Sequence, residues 1–273
     1  MLELAAIAFP QIPTGIPIGP VEIRFYALAY VAGLLFGWWL AKRICGKDEL
    51  WGATRHPEPI AVDDLIVYIA FGIILGGRLG YVLFYDLPAY LDAPLEALKL
   101  WHGGMSFHGG LIGATLGVFL FARARRLPTL PILDLGAAVA PIGLFFGRVA
   151  NFINGELFGR VTDIPWAMIF PHGGPEPRHP SQLYQAALEG VALFVLVQLL
   201  VRGGALKRPG LVAGLFAVGY GIARVIGEMF RQPDPQLGFL AGGLTMGMLL
   251  SVPMIALGLA LAGLALKRRP AEA

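Results

Sequence analysis

Residues 131–160 read PILDLGAAVAPIGLFFGRVANFINGELFGR. The part from 131 to 150 is almost entirely apolar, and about twenty such residues form a helix that crosses roughly 30 Å of hydrocarbon. The run passes directly into 147–160, which carries two arginines, two asparagines and one glutamate. Polar groups at membrane depth are costly, so this stretch predicts a transmembrane helix that leads into a functional site.

The composition of the whole chain agrees with this interpretation. Of its 273 residues, 56% are hydrophobic and only 14% are charged, and its mean hydropathy is +0.68. Soluble domains typically carry about 25% charged residues. The chain also contains 37 glycines, and small residues let transmembrane helices approach closely where lipid supplies no hydrophobic drive between them. The composition therefore predicts an integral membrane protein.

Seven apolar segments are long enough to be spans, although the third is short and rich in glycine. They fall at about 24–41, 63–86, 104–122, 131–150, 181–201, 211–229 and 240–266. We therefore predict an all-α fold of about seven transmembrane helices in a single polytopic domain, 1–273. An outer loop, about 151–180, is expected to form a small periplasmic cap.

The basic residues predict the orientation. The segments KRICGKDELWGATRH, RARR, RGGALKR and the terminal KRR hold thirteen of the 21 lysines and arginines. These four segments alternate with the remaining connections along the chain. Because cytoplasmic loops are enriched in lysine and arginine, we expect the N-terminus outside and the C-terminus in the cytoplasm. The single cysteine, Cys45, is expected in a charged loop and excludes a disulfide framework.

Three arginines lie well inside the predicted spans, away from the first residue of any of them. At a rise of 1.5 Å per residue, Arg78, Arg148 and Arg224 lie roughly 22, 26 and 20 Å from the cytoplasmic ends of their helices. All three are therefore expected in the outer half of the bilayer. A guanidinium group suits phosphate because its planar fork donates two hydrogen bonds at once. The phosphate available at that depth belongs to a phospholipid headgroup.

Two helix faces carry these arginines. One combines Tyr220, Arg224 and Glu228 at spacings i, i+4, i+8, and the other combines Arg78, Tyr81 and Tyr85 at i, i+3, i+7. Pairing of an intramembrane arginine with a carboxylate to lower the cost of burial is the alternative to a binding role. Because Glu189 is expected in the middle of the fifth span, away from the arginines, the cluster is expected to carry excess positive charge.

Other polar groups are predicted near the same depth. In HGGMSFHGGLIG, residues 102–113, His108 is the deeper histidine, and a neutral imidazole can accept a proton near neutral pH. Asn151, Asn154, Gly155 and Glu156 follow Arg148. Asparagine and glycine are also ordinary at helix ends, but amide, carboxylate and guanidinium groups are denser here than a cap requires.

These residues carry a resemblance to a known family. GRVANFINGELFGR closely resembles the signature of the bacterial prolipoprotein diacylglyceryl transferases, and HGGMSFHGGL, RHPSQLYQAALEG and GYGIARVIGEMFRQPD resemble three further segments of that family in the same order. The resemblance runs from about Arg24 to Gln236. It implies transfer of the diacylglyceryl group of phosphatidylglycerol to the lipobox cysteine thiol of a prolipoprotein, with release of glycerol phosphate.

The resemblance also implies site residues. The family's histidine matches His108, its Arg-x-x-Asn matches Arg148 and Asn151, and its signature glutamate matches Glu156. Its later tyrosine, arginine and glutamate match Tyr220, Arg224 and Glu228. Its other site tyrosines match Tyr26 and Tyr85. With the positions derived above, the predicted catalytic residues are His108, Arg148, Glu156, Tyr220 and Arg224. The predicted substrate-binding residues are Tyr26, Arg78, Tyr85, Arg148, Asn151, Asn154, Gly155 and Glu228.

The implied chemistry leaves two questions open. Arg148 and Arg224 would neutralise charge on the leaving phosphate, while the proton acceptor is His108 or else Glu156 or Glu228. A lipid transporter and a phosphatidylglycerol phospholipase are the alternative functions.

The expected partners are phosphatidylglycerol, a prolipoprotein signal peptide with its lipobox cysteine and membrane lipids, without nucleic acid, metal or cofactor. The expected location is the bacterial inner membrane, with the active site toward the outer leaflet.

Overall fold

Helices dominate the chain and follow the predicted spans. The computed structural model describes residues 7–10, 12–13, 15–18, 21–84, 87–100, 103–233, 238–268 and 270, and gives the backbone alone at 18, 21, 22, 89, 107, 108 and 241. The long helices are α1 (Phe25–Cys45), α3 (Ala61–Phe84), α5 (Phe107–Ala124), α6 (Thr129–Ile153), the fifth span (Ser181–Arg202), α9 (Leu211–Phe230) and α10 (Met246–Lys267). Short helices α2 (Asp48–Trp51) and α4 (Leu87–Asp92) lie in the connections.

All seven predicted segments are helical. Among the described residues, six helices are long and apolar enough to cross a membrane, and α5 is a shorter apolar helix, as its glycine-rich sequence suggested. The prediction of a helical, multi-pass membrane protein is therefore confirmed. The fifth span is not uniform, because α7 (Ser181–Gln185) and α8 (Leu193–Arg202) are joined by π-helical turns at Ala186–Ala192. Such turns inside α-helices are frequent at functional sites.

Glycines determine how closely α3 and α5 pack. On α3, Gly72, Gly76 and Gly80 face Gly109 and Gly113 of α5, and Gly117 of α5 faces the backbone of Tyr68. A Cβ atom on Gly113 would overlap the carbonyl oxygen of Gly72, and a Cβ on Gly72 would overlap that of Gly113. The two backbones are therefore in direct contact, which only glycine allows and which suits association of helices in lipid.

A buried carboxylate joins α6 to α9. Asp134 is fully buried, and its two oxygens accept the backbone N–H groups of Gly210, at 2.6 Å, and Ala213, at 2.8 Å. The first N–H groups of a helix have no partner within the helix. Asp134 thus caps α9 from a neighbouring helix, and its negative charge complements the positive end of the α9 dipole.

The basic segments meet at one end of the bundle, which we call the basic end. Lys42, near the end of α1, pairs with Asp63 at 3.0 Å, and Arg125, after α5, pairs with Asp64 at the start of α3. The turn Ala205–Lys207 packs against α2 at the same end. The side of the membrane that this end faces stays a prediction.

The expectation for Cys45 was wrong. Cys45 is the last residue of α1 rather than part of a loop, and it is only 1% exposed. The connection folds back, so that Trp51 on α2 lies in the same buried cluster and donates from its indole nitrogen to the carbonyl of Ile44 at 3.0 Å. The Cys45 thiol is therefore buried in a cluster with Trp51, whose ring packs onto the end of α1.

Short strands lie at the opposite end. Strand β1 (Ile7–Ala8) runs parallel to β4 (Met168–Ile169), and β2 (Gly15–Ile18) pairs antiparallel with β3 (Val21–Arg24). Isolated bridges join Val161 to Arg178 and Gly159 to Arg231. The loop that follows α6 is thus fixed to the N-terminal segment and to the end of α9. Its assignment to the periplasm as a cap stays a prediction.

The orientation can be tested with two cysteine variants. Because the basic end is expected to face the cytoplasm, an impermeant maleimide added to intact cells should label Glu176→Cys in the outer loop and leave Lys267→Cys at the basic end unlabelled. Cys45 is buried and should stay silent in both. Lysed cells, in which both variants should react, provide the control. Labelling of Lys267→Cys alone in intact cells would contradict the orientation.

Candidate active site

The end of α6 and the turn that follows it carry five of the predicted residues. Arg148 and Asn151 are three residues apart, so they share one face of the helix. The helix ends at Ile153, and Gly155 follows with φ +64°, a left-handed conformation that glycine adopts without steric cost. This turn sends the chain back, so that Asn151 Nδ2 donates to Glu156 Oε1 at 2.8 Å. The signature segment is therefore a compact polar helix end.

Glu189 lies at the centre of the site, which the sequence did not predict. Arg148 Nε and Nη2 lie 2.9 and 2.8 Å from its Oε2, and Arg224 Nη1 lies 3.8 Å from its Oε1. The expectation that Glu189 lies away from the arginines was therefore wrong. The three residues lie roughly 8–12 Å from the outer ends of their helices. Their long side chains bridge the small differences between these depths.

A second carboxylate extends the network along α9. Glu228 Oε1 lies 2.7 Å from Arg224 Nη2 and 3.2 Å from Arg231 Nη1. The alternative interpretation of Arg224, a pairing with Glu228, is thus observed, but it is only part of a larger network. Arg231 was not singled out from the sequence, although its position three residues after Glu228 places it on the same helix face.

The accessible side of the network is formed by arginines. Three guanidinium groups, those of Arg148, Arg224 and Arg231, share the carboxylates of Glu189 and Glu228. The carboxylates are buried, at 0 and 4% side-chain exposure, whereas Arg148 and Arg224 are 15 and 16% exposed. The acids therefore lie behind the arginines, and the accessible part of the network is cationic.

Two tyrosines border the network. Tyr220 lies one helical turn before Arg224 on α9, and its hydroxyl is within electrostatic reach of Glu189, Arg224 and Arg148. On α1, the Tyr26 hydroxyl lies 3.1 Å from that of Tyr30, and Tyr26 is within electrostatic reach of Glu156. The structure thus places Tyr26 and Tyr220 on two sides of the α6 end, and it adds Tyr30, which the sequence gave no reason to select.

Arg78 occupies a different place from the one expected. It is buried, and its guanidinium donates to five backbone carbonyls in the segment between α3 and α5, those of Glu96, Ala97, Lys99, Gly103 and Gly104. Among the described contacts, none joins Arg78 to Arg148 or Arg224. Equal depth did not bring the three arginines together, because Arg78 uses its donors to hold the chain that leads into α5.

Three further predicted residues are less fully described. Tyr85 lies outside the described residues. His108 is placed by its backbone in the first turn of α5, where the Ser106 hydroxyl caps the helix by accepting the Gly109 N–H at 3.2 Å. Asn154 closes α6 with its backbone N–H bonded to the Ala150 carbonyl at 3.0 Å. Their roles in substrate binding and catalysis stay predictions.

A buried polar face on the fifth span was also missed. Gln182, Gln185 and Glu189 are all fully buried, at spacings i, i+3, i+7. Gln182 Nε2 donates to the Glu156 carbonyl at 2.7 Å, and a Cβ atom on Gly227 would lie 3.0 Å from Gln185 Cγ. The sequence pattern could have indicated this face, because polar residues at helical spacing in an apolar helix usually face the interior of a bundle.

The outer loop fixes the end of α9. Arg160 donates to the carbonyls of Glu228 and Arg231 at 3.0 and 3.1 Å. His179 stacks edge-on against Phe230, and burial, with the nearby Arg160, lowers its pKa below the usual range. A lowered pKa keeps this imidazole neutral at neutral pH, so it packs as an aromatic ring beside the ion network.

Among the described residues, six helices long and apolar enough to cross a membrane and one shorter apolar helix define a multi-pass membrane protein, and three of its spans share a buried ion network. Its sequence matches the family model described as prolipoprotein diacylglyceryl transferase over residues 13–264. The chain therefore belongs to the prolipoprotein diacylglyceryl transferase family, and it is a membrane-bound transferase.

Curated relatives cover nearly the whole chain. The phosphatidylglycerol–prolipoprotein diacylglyceryl transferase of Methylocella silvestris is 60% identical over 268 residues, which are 98% of each chain. The protein of the same name from Allorhizobium ampelinum is 61% identical over 259 residues, 93% of this chain and 90% of the relative. That from Bradyrhizobium diazoefficiens is 52% identical over 280 residues, 100% of this chain and 99% of the relative.

The central position of Glu189 can be tested through stability. Glu189→Gln keeps the side-chain size but removes the charge that Arg148 and Arg224 share. Breaking a buried ion pair by removing one partner typically costs about 3–5 kcal/mol, so the thermal unfolding midpoint in detergent should fall markedly. Glu58→Gln makes the same change at an exposed site and should leave the midpoint unchanged. Equal midpoints for the two variants would show that Glu189 does not hold the network together.

Proposed function

We propose that this chain transfers the diacylglyceryl group of phosphatidylglycerol to the thiol of a prolipoprotein's lipobox cysteine. The reaction takes place in the outer leaflet of the bacterial inner membrane. The thiol sulfur forms a bond to the glyceryl carbon that carries the phosphate. The carbon–oxygen bond breaks, glycerol phosphate leaves with the bonding electrons, and the thiol proton passes to a base. The names of the relatives support the substrates, and the Arg148–Arg224 pair carries the proposal for the site.

The guanidinium pair suits the leaving group. The phosphodiester of the lipid carries one negative charge, and a second develops on the oxygen that leaves. Fixed cations aimed at developing charge in a water-poor site are often the largest single contribution to catalysis. Arg148 and Arg224 are held from behind by Glu189, so they need little reorganisation when the charge forms. Glycerol phosphate is thereby stabilised as it departs.

The geometry favours different roles for the carboxylates. Oε1 of Glu228 already contacts both Arg224 and Arg231, so Glu228 serves to hold the arginines. Glu156 accepts a hydrogen bond from Asn151, which lies one helical turn after Arg148, so Glu156 lies at the edge of the network. His108 remains the preferred proton acceptor, because a group with a pKa near neutrality is best suited to general-base catalysis. Glu156 is the alternative.

An assay with purified protein, vesicles containing phosphatidylglycerol and a lipobox peptide tests both the transfer reaction and the role of the two arginines. We expect a thioether-linked lipid product that requires the peptide cysteine and is absent with a cysteine-to-serine peptide. Arg148→Lys and Arg224→Lys keep the charge but lose the two-pronged fork, so the transfer rate should fall by at least tenfold in each. Arg123→Lys, at the basic end, should retain the wild-type rate.

Each other outcome contradicts a defined part of the proposal. Lipid hydrolysis without the peptide would indicate a phospholipase, and lipid movement without any product would indicate a transporter. Wild-type turnover in both active-site lysine variants would remove the phosphate role from Arg148 and Arg224 while leaving the transferase reaction intact.

The proton acceptor can be identified from a pH–rate profile. If His108 takes the thiol proton, wild-type activity should decline at acidic pH, where imidazole becomes protonated. His108→Gln should lower the rate by about 10²–10⁴-fold, the usual range of general-base contributions, and lose that acid limb. Phosphatidylglycerol binding should be nearly unchanged because the arginines are intact. Retention of the same acid limb in His108→Gln would assign the base to another residue, with Glu156→Gln as the next variant.

A further inference from the structure

A groove at the basic end lies far from the ion network. It has a volume of about 450 Å³ and opens between the end of α1 and α8. Its walls are mainly apolar and include Trp39, Leu40, Phe194, Val195 and Leu199. From Val195 to Arg202 the groove extends roughly 10 Å along α8, at 1.5 Å per residue. Its dimensions suit the upper part of an extended hydrocarbon chain.

Three cations line the same groove. They are Arg43, Lys47 and Arg202, and no acidic residue is among its lining residues. Within the described part of the chain, no ion pair engages any of the three. The nearest acid in the sequence, Asp48, is 3.4 Å from His56 Nε2 and is not part of the lining. The groove thus combines an apolar interior with uncompensated positive charge.

Trp39 and Arg43 mark the membrane interface within the groove. The Arg43 guanidinium lies 4.5 Å from the centre of the Trp39 ring, which is half exposed. Tryptophan is enriched at the level of lipid headgroups, and a long basic side chain keeps its charge at that level while its stem lies along apolar surface. The three cations are therefore positioned where lipid phosphates lie, directly above an apolar slot.

We propose that this groove binds an anionic phospholipid of the leaflet at the basic end. The phosphate lies among Arg43, Lys47 and Arg202, and an acyl chain lies against the walls formed by α1 and α8. Basic pockets between transmembrane helices on the cytoplasmic side commonly hold anionic headgroups. A zwitterionic lipid binds less tightly here, because its own cationic group meets three like charges. The lipid thus fills the groove between α1 and α8.

This site is distinct from the catalytic one. Glu189 and Arg202 lie on the same transmembrane span, thirteen residues apart, which corresponds to roughly 20 Å along the helix axis. The groove therefore faces the leaflet opposite the guanidinium pair. A lipid bound there contacts none of the residues proposed for transfer, so it acts as a structural ligand rather than as the substrate.

Quenching of Trp39 fluorescence tests the proposal. Wild-type protein and Trp39→Phe are reconstituted in phosphatidylcholine vesicles with increasing fractions of dibrominated phosphatidylserine, and their difference in fluorescence reports Trp39. We expect saturable quenching at low fractions of this anionic lipid, and only weak, non-saturable quenching by dibrominated phosphatidylcholine. Equal quenching by the two lipids would overturn the proposal, because it would show ordinary lipid contact without selection by charge.

Matched variants separate the groove from the general charge of the basic end. Arg43→Gln, Lys47→Gln and Arg202→Gln combined should raise the half-saturating lipid fraction by at least tenfold, since each cation near the surface contributes several-fold. The combined control Arg123→Gln, Lys267→Gln and Arg268→Gln removes equal charge outside the groove and should change it little. An equal shift in the control would overturn the proposal.

A charge-retaining variant guards against misfolding. Arg43→Lys combined with Arg202→Lys keeps all three positive charges and should retain the preference for the anionic lipid within about threefold, because a lysine near the surface attracts such lipids much as an arginine does. If it loses as much binding as the glutamine variant, charge does not hold the lipid and the proposal fails. Transfer activity, measured in parallel, should be unaffected in all of these variants, because the groove residues lie outside the proposed active site.

Discussion

The ion network formed by Arg148, Glu189, Arg224 and Glu228 is the constraint on which the rest of the structure depends. A charge inside a membrane is costly unless it is paired or faces a polar cavity. The chain meets this requirement by bringing α6, the fifth span and α9 together at one depth. Since each of these helices contributes at least one member, none of them can shift along its axis without leaving a buried charge unpaired. The network therefore fixes helix register as well as chemistry.

Small residues make this convergence sterically feasible. Gly227 leaves room for Gln185 on the fifth span, and a Cβ atom on Gly247 would lie only 2.7 Å from Glu228 Cδ, so the first turn of α10 closes over that carboxylate. On the other side of the molecule, Gly72 and Gly113 bring α3 and α5 into backbone contact. Lipid does not drive helices together as water does, so close packing and polar contacts supply the association energy.

The two ends of the bundle use positive charge in different ways. At one end, arginines are turned inward and held by buried carboxylates, which suits the stabilisation of charge that appears during a reaction. At the basic end, most cations are exposed, which suits contact with anionic lipid headgroups. Arg78 represents a third use, because its guanidinium holds the segment that leads into α5. The surroundings of each arginine, rather than its depth in the membrane, determine what it does.

The sequence by itself determined the number, position and approximate length of the transmembrane helices, because apolar run length follows directly from bilayer thickness. Its motifs also selected Arg148, Arg224, Tyr220 and Glu156, whose polar groups stand out in an apolar chain. Only the tertiary structure decided which groups meet. It placed Glu189 between two arginines, directed the Arg78 guanidinium to carbonyls before α5, and buried Cys45 in a cluster with Trp51. Depth along a helix can be counted from a sequence, but the direction in which each helix face points depends on packing against its neighbours.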